Sequence, residues 1–136
     1  MNDIQIETKR SDSLVDFFNL HDFMVDQVSE RVFKVIRGEE LPVFLYLDED
    51  TLHFEVDLGP ISELQSETFF YQLLDRNTQI QPVCFAINSS NPEDLRLVLV
   101  ESRVTGDLSS EELLSVFDAL ELAADQAEEI LKPYIQ

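Results

Sequence analysis

The run DEDTLHFEVD, residues 48–57, sets five carboxylates and a histidine in ten positions. Such groups could ligate a metal or trade protons, so the first question is whether their spacing suits either task. A calcium loop of the EF-hand type needs oxygen ligands at its first, third and fifth positions and glycine at its sixth. Counted from Asp48, Asp50 takes the third position, but Leu52 and His53 take the fifth and sixth. A zinc site needs several His or Cys at fixed spacing. The chain has two histidines and one cysteine, in separate segments. His53, Glu55 and Asp57 instead alternate with Leu52, Phe54, Val56 and Leu58. A period of two is a strand with one wet face. The run reads as a hairpin whose turn is Asp48, Glu49 and Asp50, and aspartates are ordinary in turns. An enzyme or metal site on this hairpin is the last of the readings considered, and no catalytic residue, cofactor or metal is expected.

The other reactive side chains have plain structural readings. Cys84 lies inside VCFAI and reads as a small buried hydrophobe. His21, after the first helix, suits a cap or the surface. Ser89 and Ser90 belong to the turn NSSNPED, and no nucleophile elbow is present. Gly38, Gly59 and Gly106 are isolated, which excludes glycine-rich phosphate loops.

The elements that would carry these residues follow from pattern. SDSLVDFFNL starts a helix, with Ser11 or Ser13 as cap and Leu14, Phe17, Phe18 and Leu20 as its apolar face. Residues 21–28 allow either a strand or the approach to one. RVFKVIRG alternates as a strand; Pro42 then stands before VFLYL, which is apolar on both faces, as expected of a strand covered on both sides. Gly59 ends the hairpin, and Pro60 suits the first turn of a helix whose stripe is Leu64, Phe69 or Phe70, Leu73 and Leu74. VCFAI and LRLVLVESRV form a strand pair. The last helix opens on Ser109 with Glu112 three residues on, a capping-box spacing. Its apolar seam is Leu113, Phe117, Leu120, Ala124, Ala127, Leu131 and Tyr134, and Pro133 stops it. The order is helix, three strands, helix, two strands, helix: an α+β fold with an antiparallel sheet.

A length of 136 residues predicts a single domain over 1–136, with residues 1–10 frayed. Hydrophobic residues make up 44%, enough for a packed core. No apolar run is long enough to span a bilayer, and the polar start is unlike a signal peptide; the expected compartment is the cytoplasm. The net charge of −19 repels phosphate backbones and anionic membranes, so neither nucleic acid nor membrane insertion is expected. The charge suits a basic partner and equally a salty cytoplasm. Strands apolar on both faces exceed what three helices can cover, which predicts a partner or homodimer interface. The candidate residues are Val43, Phe44, Leu45 and Tyr46 on the sheet, with Phe117, Leu120 and Tyr134 as core or interface.

ELPVFLYLDEDTLHFEVDL, then INSSNPED, then the acidic last helix resemble the YjfI-like family of bacterial proteins over residues 31–134. The order of elements, size and acidity resemble the wider secretion-chaperone-like fold, shared by type III secretion chaperones and YbjN-like proteins. The resemblance implies a non-enzymatic dimer whose apolar grooves hold an extended client segment. YjfI-like proteins occur with phage-shock-protein-A-like membrane-stress proteins, which implies, as the alternative, a stoichiometric regulator of such a protein.

Overall fold

The computed structural model describes residues 11–106 and 108–135, and the side chains from Ser13 onward apart from Asp107. The expectation for residues 1–10 falls outside them. Helix α1 spans Ser11–Leu20. Four strands follow: β1 Met24–Ser29, β2 Val32–Ile36, β3 Val43–Asp48 and β4 Thr51–Pro60. Then come α2 Glu67–Arg76, β5 Cys84–Asn88, β6 Arg96–Val104 and α3 Ser110–Leu131, closed by a 3-10 turn at Lys132–Tyr134 that contains Pro133. The sheet is antiparallel throughout, in the order β1-β2-β3-β4-β6-β5. The α+β class and the antiparallel sheet are those the sequence predicts. The undecided segment 21–28 supplies a sixth strand, β1, so four strands precede α2 rather than three.

Register shows how the two faces differ. Phe33 pairs with Leu45, Leu45 with Phe54, Leu47 with Leu52, and Val56 with Leu99. Paired residues share a face, and all of these are buried. They join Leu14, Phe18, Phe69, Leu73, Leu113, Phe117 and Leu120 in one core cluster, so all three helices pack on this side. Phe117 sits at its centre, with its ring 5.6 Å from Phe18, 4.8 Å from Phe23 and 6.0 Å from Phe54, in edge-on geometry.

Caps and turns match local chemistry. The Ser109 hydroxyl accepts from the Glu112 N–H at 3.1 Å, as the capping-box spacing predicts. A two-residue turn, Glu49–Asp50, joins β3 to β4, with Glu49 at a positive φ of 32°. Several details differ from the sequence expectation. Leu20 and Leu74 are exposed, since at helical spacing they fall off the buried stripes of Leu14, Phe17 and Phe18 in α1 and of Phe69 and Leu73 in α2. The buried stripe of α3 is Leu113, Val116, Phe117, Leu120, Ala123, Ala127 and Ile130; at 3.6 residues per turn it drifts off the expected seam, leaving Ala124, Leu131 and Tyr134 half-buried. Pro60 ends β4 instead of opening α2. A bulge between Asp57 and Gly59, with Gly59 at φ 119°, carries the strand onward, and Ser66 caps α2 by accepting from the Phe69 N–H at 3.1 Å.

Candidate functional site

Among the described residues, no helix lies on the opposite face of the sheet. Strand alternation puts Phe44, Tyr46, His53, Glu55, Asp57, Val98, Val100, Ser102 and Cys84 there, in rows that the register fixes: Lys34–Phe44–Glu55–Val100–Cys84 and Val32–Tyr46–His53–Ser102. Phe44 is 38% exposed and Tyr46 46%. Around them lies an open hollow of about 580 Å³, with Val32, Pro82, Cys84 and Val100 on its wall. Val98 is buried on this face yet lies outside the core cluster.

The sequence candidates divide between the two faces. Phe44 and Tyr46 stand on the open face. Val43 and Leu45, their neighbours in the strand, are 6% and 0% exposed and point into the core. Phe117 and Leu120 are core residues. Tyr134 is half-buried: its ring meets Phe69 edge-on at 4.9 Å, and its hydroxyl donates to the Gln72 side chain at 2.8 Å. The structure therefore does not gather the candidates into one surface. Val32, Val100 and Pro82 complete the apolar part of the hollow, which His53, Glu55, Glu101 and Ser102 also line. Sequence reasoning missed them because they come from three distant segments, and only the strand order brings them together. Cys84 corrects its expectation: it is half-buried on the open face, since its strand has cover on one side only.

The carboxylates of the hairpin are spread rather than gathered. Asp48 ends β3 rather than joining the turn as expected, and it is exposed along with the turn residues Glu49 and Asp50. Glu55 accepts from the Asn88 side-chain amide at 3.0 Å. Asp57 takes a two-point contact from Arg96, at 3.1 and 2.7 Å. The Arg96 guanidinium, with the Gly59 N–H at 3.2 Å, holds the Asp57 carboxyl below the usual carboxylate range. His53 stacks beside Tyr46 at 6.1 Å. Among the described residues, no group of three or more His, Cys, Asp or Glu is placed to hold a metal ion. No helix among them is long and apolar enough to cross a membrane.

Two ionic features lie on the helix side. Arg37 donates to Glu121 and Asp118 of α3, each at 2.7 Å, and its guanidinium lies 5.5 Å from the Phe23 ring centre and 6.0 Å from that of Phe117. Hydrogen bonding to Glu121 raises its pKa. Glu101 of β6 is 6% exposed. One of its oxygens accepts from Arg103 at 2.8 Å, and Oε2 is buried without a hydrogen-bond partner among the described residues. Burial pushes its carboxyl pKa up, with Arg103 acting against the shift.

The order and packing of these elements also occur in solved structures. The chain is similar to a chain of the heterodimeric ExoU–SpcU complex from the type III secretion system of Pseudomonas aeruginosa, with a TM-score of 0.69 at 19% identity over 87% of this chain and 97% of that one. It is also similar to YbjN from E. coli, with a TM-score of 0.58 at 10% identity over 86% and 89% of the two chains. The fold is secretion-chaperone-like and YbjN-like, as the order of elements implied. No protein-family model and no curated protein matches the sequence. The resemblance to YjfI-like proteins therefore stands on the sequence strings alone.

Proposed function

We propose that this chain is a non-enzymatic, chaperone-like binding module of the cytoplasm, which holds a segment of a partner protein on the open face of its sheet. The observation that carries the reading is the exposure of Phe44 and Tyr46, 38% and 46%, in the middle of a sheet rather than at its margin. Aromatic side chains beside a hollow are the usual anchors of protein recognition. The ExoU–SpcU complex supports the reading, being a structure of similar fold in which two proteins are bound to each other.

The net charge of −19 favours a partner with basic residues among its apolar ones. A second copy of the chain would have to bring two such charges together, so a homodimer through this face is the competing occupant. The test is a native pull-down read by mass spectrometry, alongside light scattering of the purified chain. The wild type should retain one stoichiometric partner, and the pair Phe44→Asp and Tyr46→Asp should lose it with an unchanged circular dichroism spectrum. Retention by the double variant would place binding elsewhere. A wild-type mass of two chains that falls to one in the variant would give the face to the homodimer.

A further inference from the structure

The sheet has two edge strands, and their sequences differ in kind. β1, MVDQVS, carries Asp26 and a bulge between Gln27 and Ser29, both of which discourage another strand from pairing there. β5, CFAIN, has no charge, no proline and no bulge. A short, uncharged, apolar edge strand is a template for pairing with another chain.

Backbone polar groups of an edge strand alternate between its neighbour and the outside. At β5 the Phe85 N–H and C=O face outward. The side chain of Asn77, the residue that ends α2, meets both. Its Oδ1 accepts from the Phe85 N–H at 2.6 Å, and its Nδ2 donates to the Phe85 carbonyl at 3.5 Å. The amide thus makes the two contacts that a residue of an added strand would make. The preceding outward N–H, that of Val83, is taken by the Ile80 carbonyl at 3.0 Å. Two residues beyond Phe85, only the outward pair of Ile87 is left, with no hydrogen bond from the described residues. Ile87 is also 47% exposed.

We infer that Asn77 is an edge guard: its amide occupies the one pairing site that would let β5 accept a strand, and so keeps this edge from joining a second copy of the chain. The anchor is firm, because the Asn77 N–H is itself held by the Leu73 carbonyl at 3.1 Å at the end of α2. With Phe85 freed, two successive outward pairs, Phe85 and Ile87, would lie open on an apolar strand. Two antiparallel β5 strands could then pair across a twofold axis, since such a contact is self-complementary.

The test uses the full chain, with hydrogen exchange and light scattering over a concentration series. Asn77→Ala should speed exchange of the Phe85 amide by about tenfold or more, as expected for loss of its acceptor among the described residues while the fold persists. The same variant should show a mass that rises with concentration towards twice the wild-type value. Adding Ile87→Lys, a charge on the same edge, should return the mass to that of the wild type while leaving Phe85 exchange fast. Wild-type exchange and mass in Asn77→Ala would overturn the inference. So would a mass increase that Ile87→Lys fails to reverse, because that would mark association through unfolded chains rather than through the edge.

Discussion

The two faces of the sheet are built from alternating residues of the same strands, yet they obey different physics. In β3, Val43, Leu45 and Leu47 are sealed under helices, while Phe44 and Tyr46 stand in solvent. One face holds Glu101, its carboxyl pushed up by burial; the other holds Asp57, drawn down by Arg96. Composition does not separate the faces, since both carry aromatic and branched residues. Cover separates them, and cover comes from where the helices lie.

The largest expected effect belongs to the sealed face. Phe54→Ala should cost about 3–5 kcal/mol in a denaturant titration, since a fully buried ring leaves a cavity. A loss below about 1 kcal/mol would mean that the core relaxes freely, and the contrast between faces would fade. Next is Arg37, which ties the end of β2 to α3. Arg37→Met should lower stability by about 1 kcal/mol, because its ion pairs are partly exposed, and the deficit should shrink as salt rises. An identical deficit at high salt would assign the effect to ring packing alone.

The faces should also differ in the sign of their pH response. The folded state holds a proton on Glu101 more tightly than the unfolded chain does. Its contribution is present below the ordinary carboxylate value and is lost as pH rises through the raised folded value. Asp57 behaves oppositely: its contribution is present above the ordinary value and is lost as pH falls through the lowered one. Glu101→Gln should therefore flatten the fall in stability above the ordinary carboxylate range and be more stable than wild type at neutral pH. Asp57→Asn should flatten the acid limb instead. Calorimetry across pH reads both, and matching slopes in the two variants would remove the distinction. The smallest stability effect is expected on the open face. Phe44→Ser should shift the folding free energy by only about 0.5 kcal/mol, while weakening any contact made there.

This contrast was only half visible in the sequence. The β4 alternation exposed its wet side directly, because His53, Glu55 and Asp57 differ in kind from Leu52, Phe54 and Val56. VFLYL has no such difference, so it suggested cover on both sides, and nothing local reveals that the described helices all lie on one side. β1 was left open for the reverse reason. Of its six residues, only Val25 is even half-buried, so MVDQVS carries no hydrophobic period. Ser66 carries no capping-box signature, because Phe69, not an acid or amide, stands three residues on. The hollow needed the strand order, which pattern alone does not supply. The edge contact of Asn77 was equally hidden, since it depends on where a loop returns to the sheet.

The ring of Phe117 also bears on how the molecule comes together. It meets Phe18 and Phe23, which lie nearly a hundred residues earlier in the chain. Closing so long a loop precedes any reward from the contact. Strand hairpins can form from neighbours, but the aromatic cluster cannot exist until the last helix docks. Topologies dominated by such distant meetings fold on roughly the millisecond-to-second scale rather than in microseconds. Substitutions at Phe117 should therefore shorten the lifetime of the native state, and they slow its formation to the extent that the last helix has already docked in the transition state.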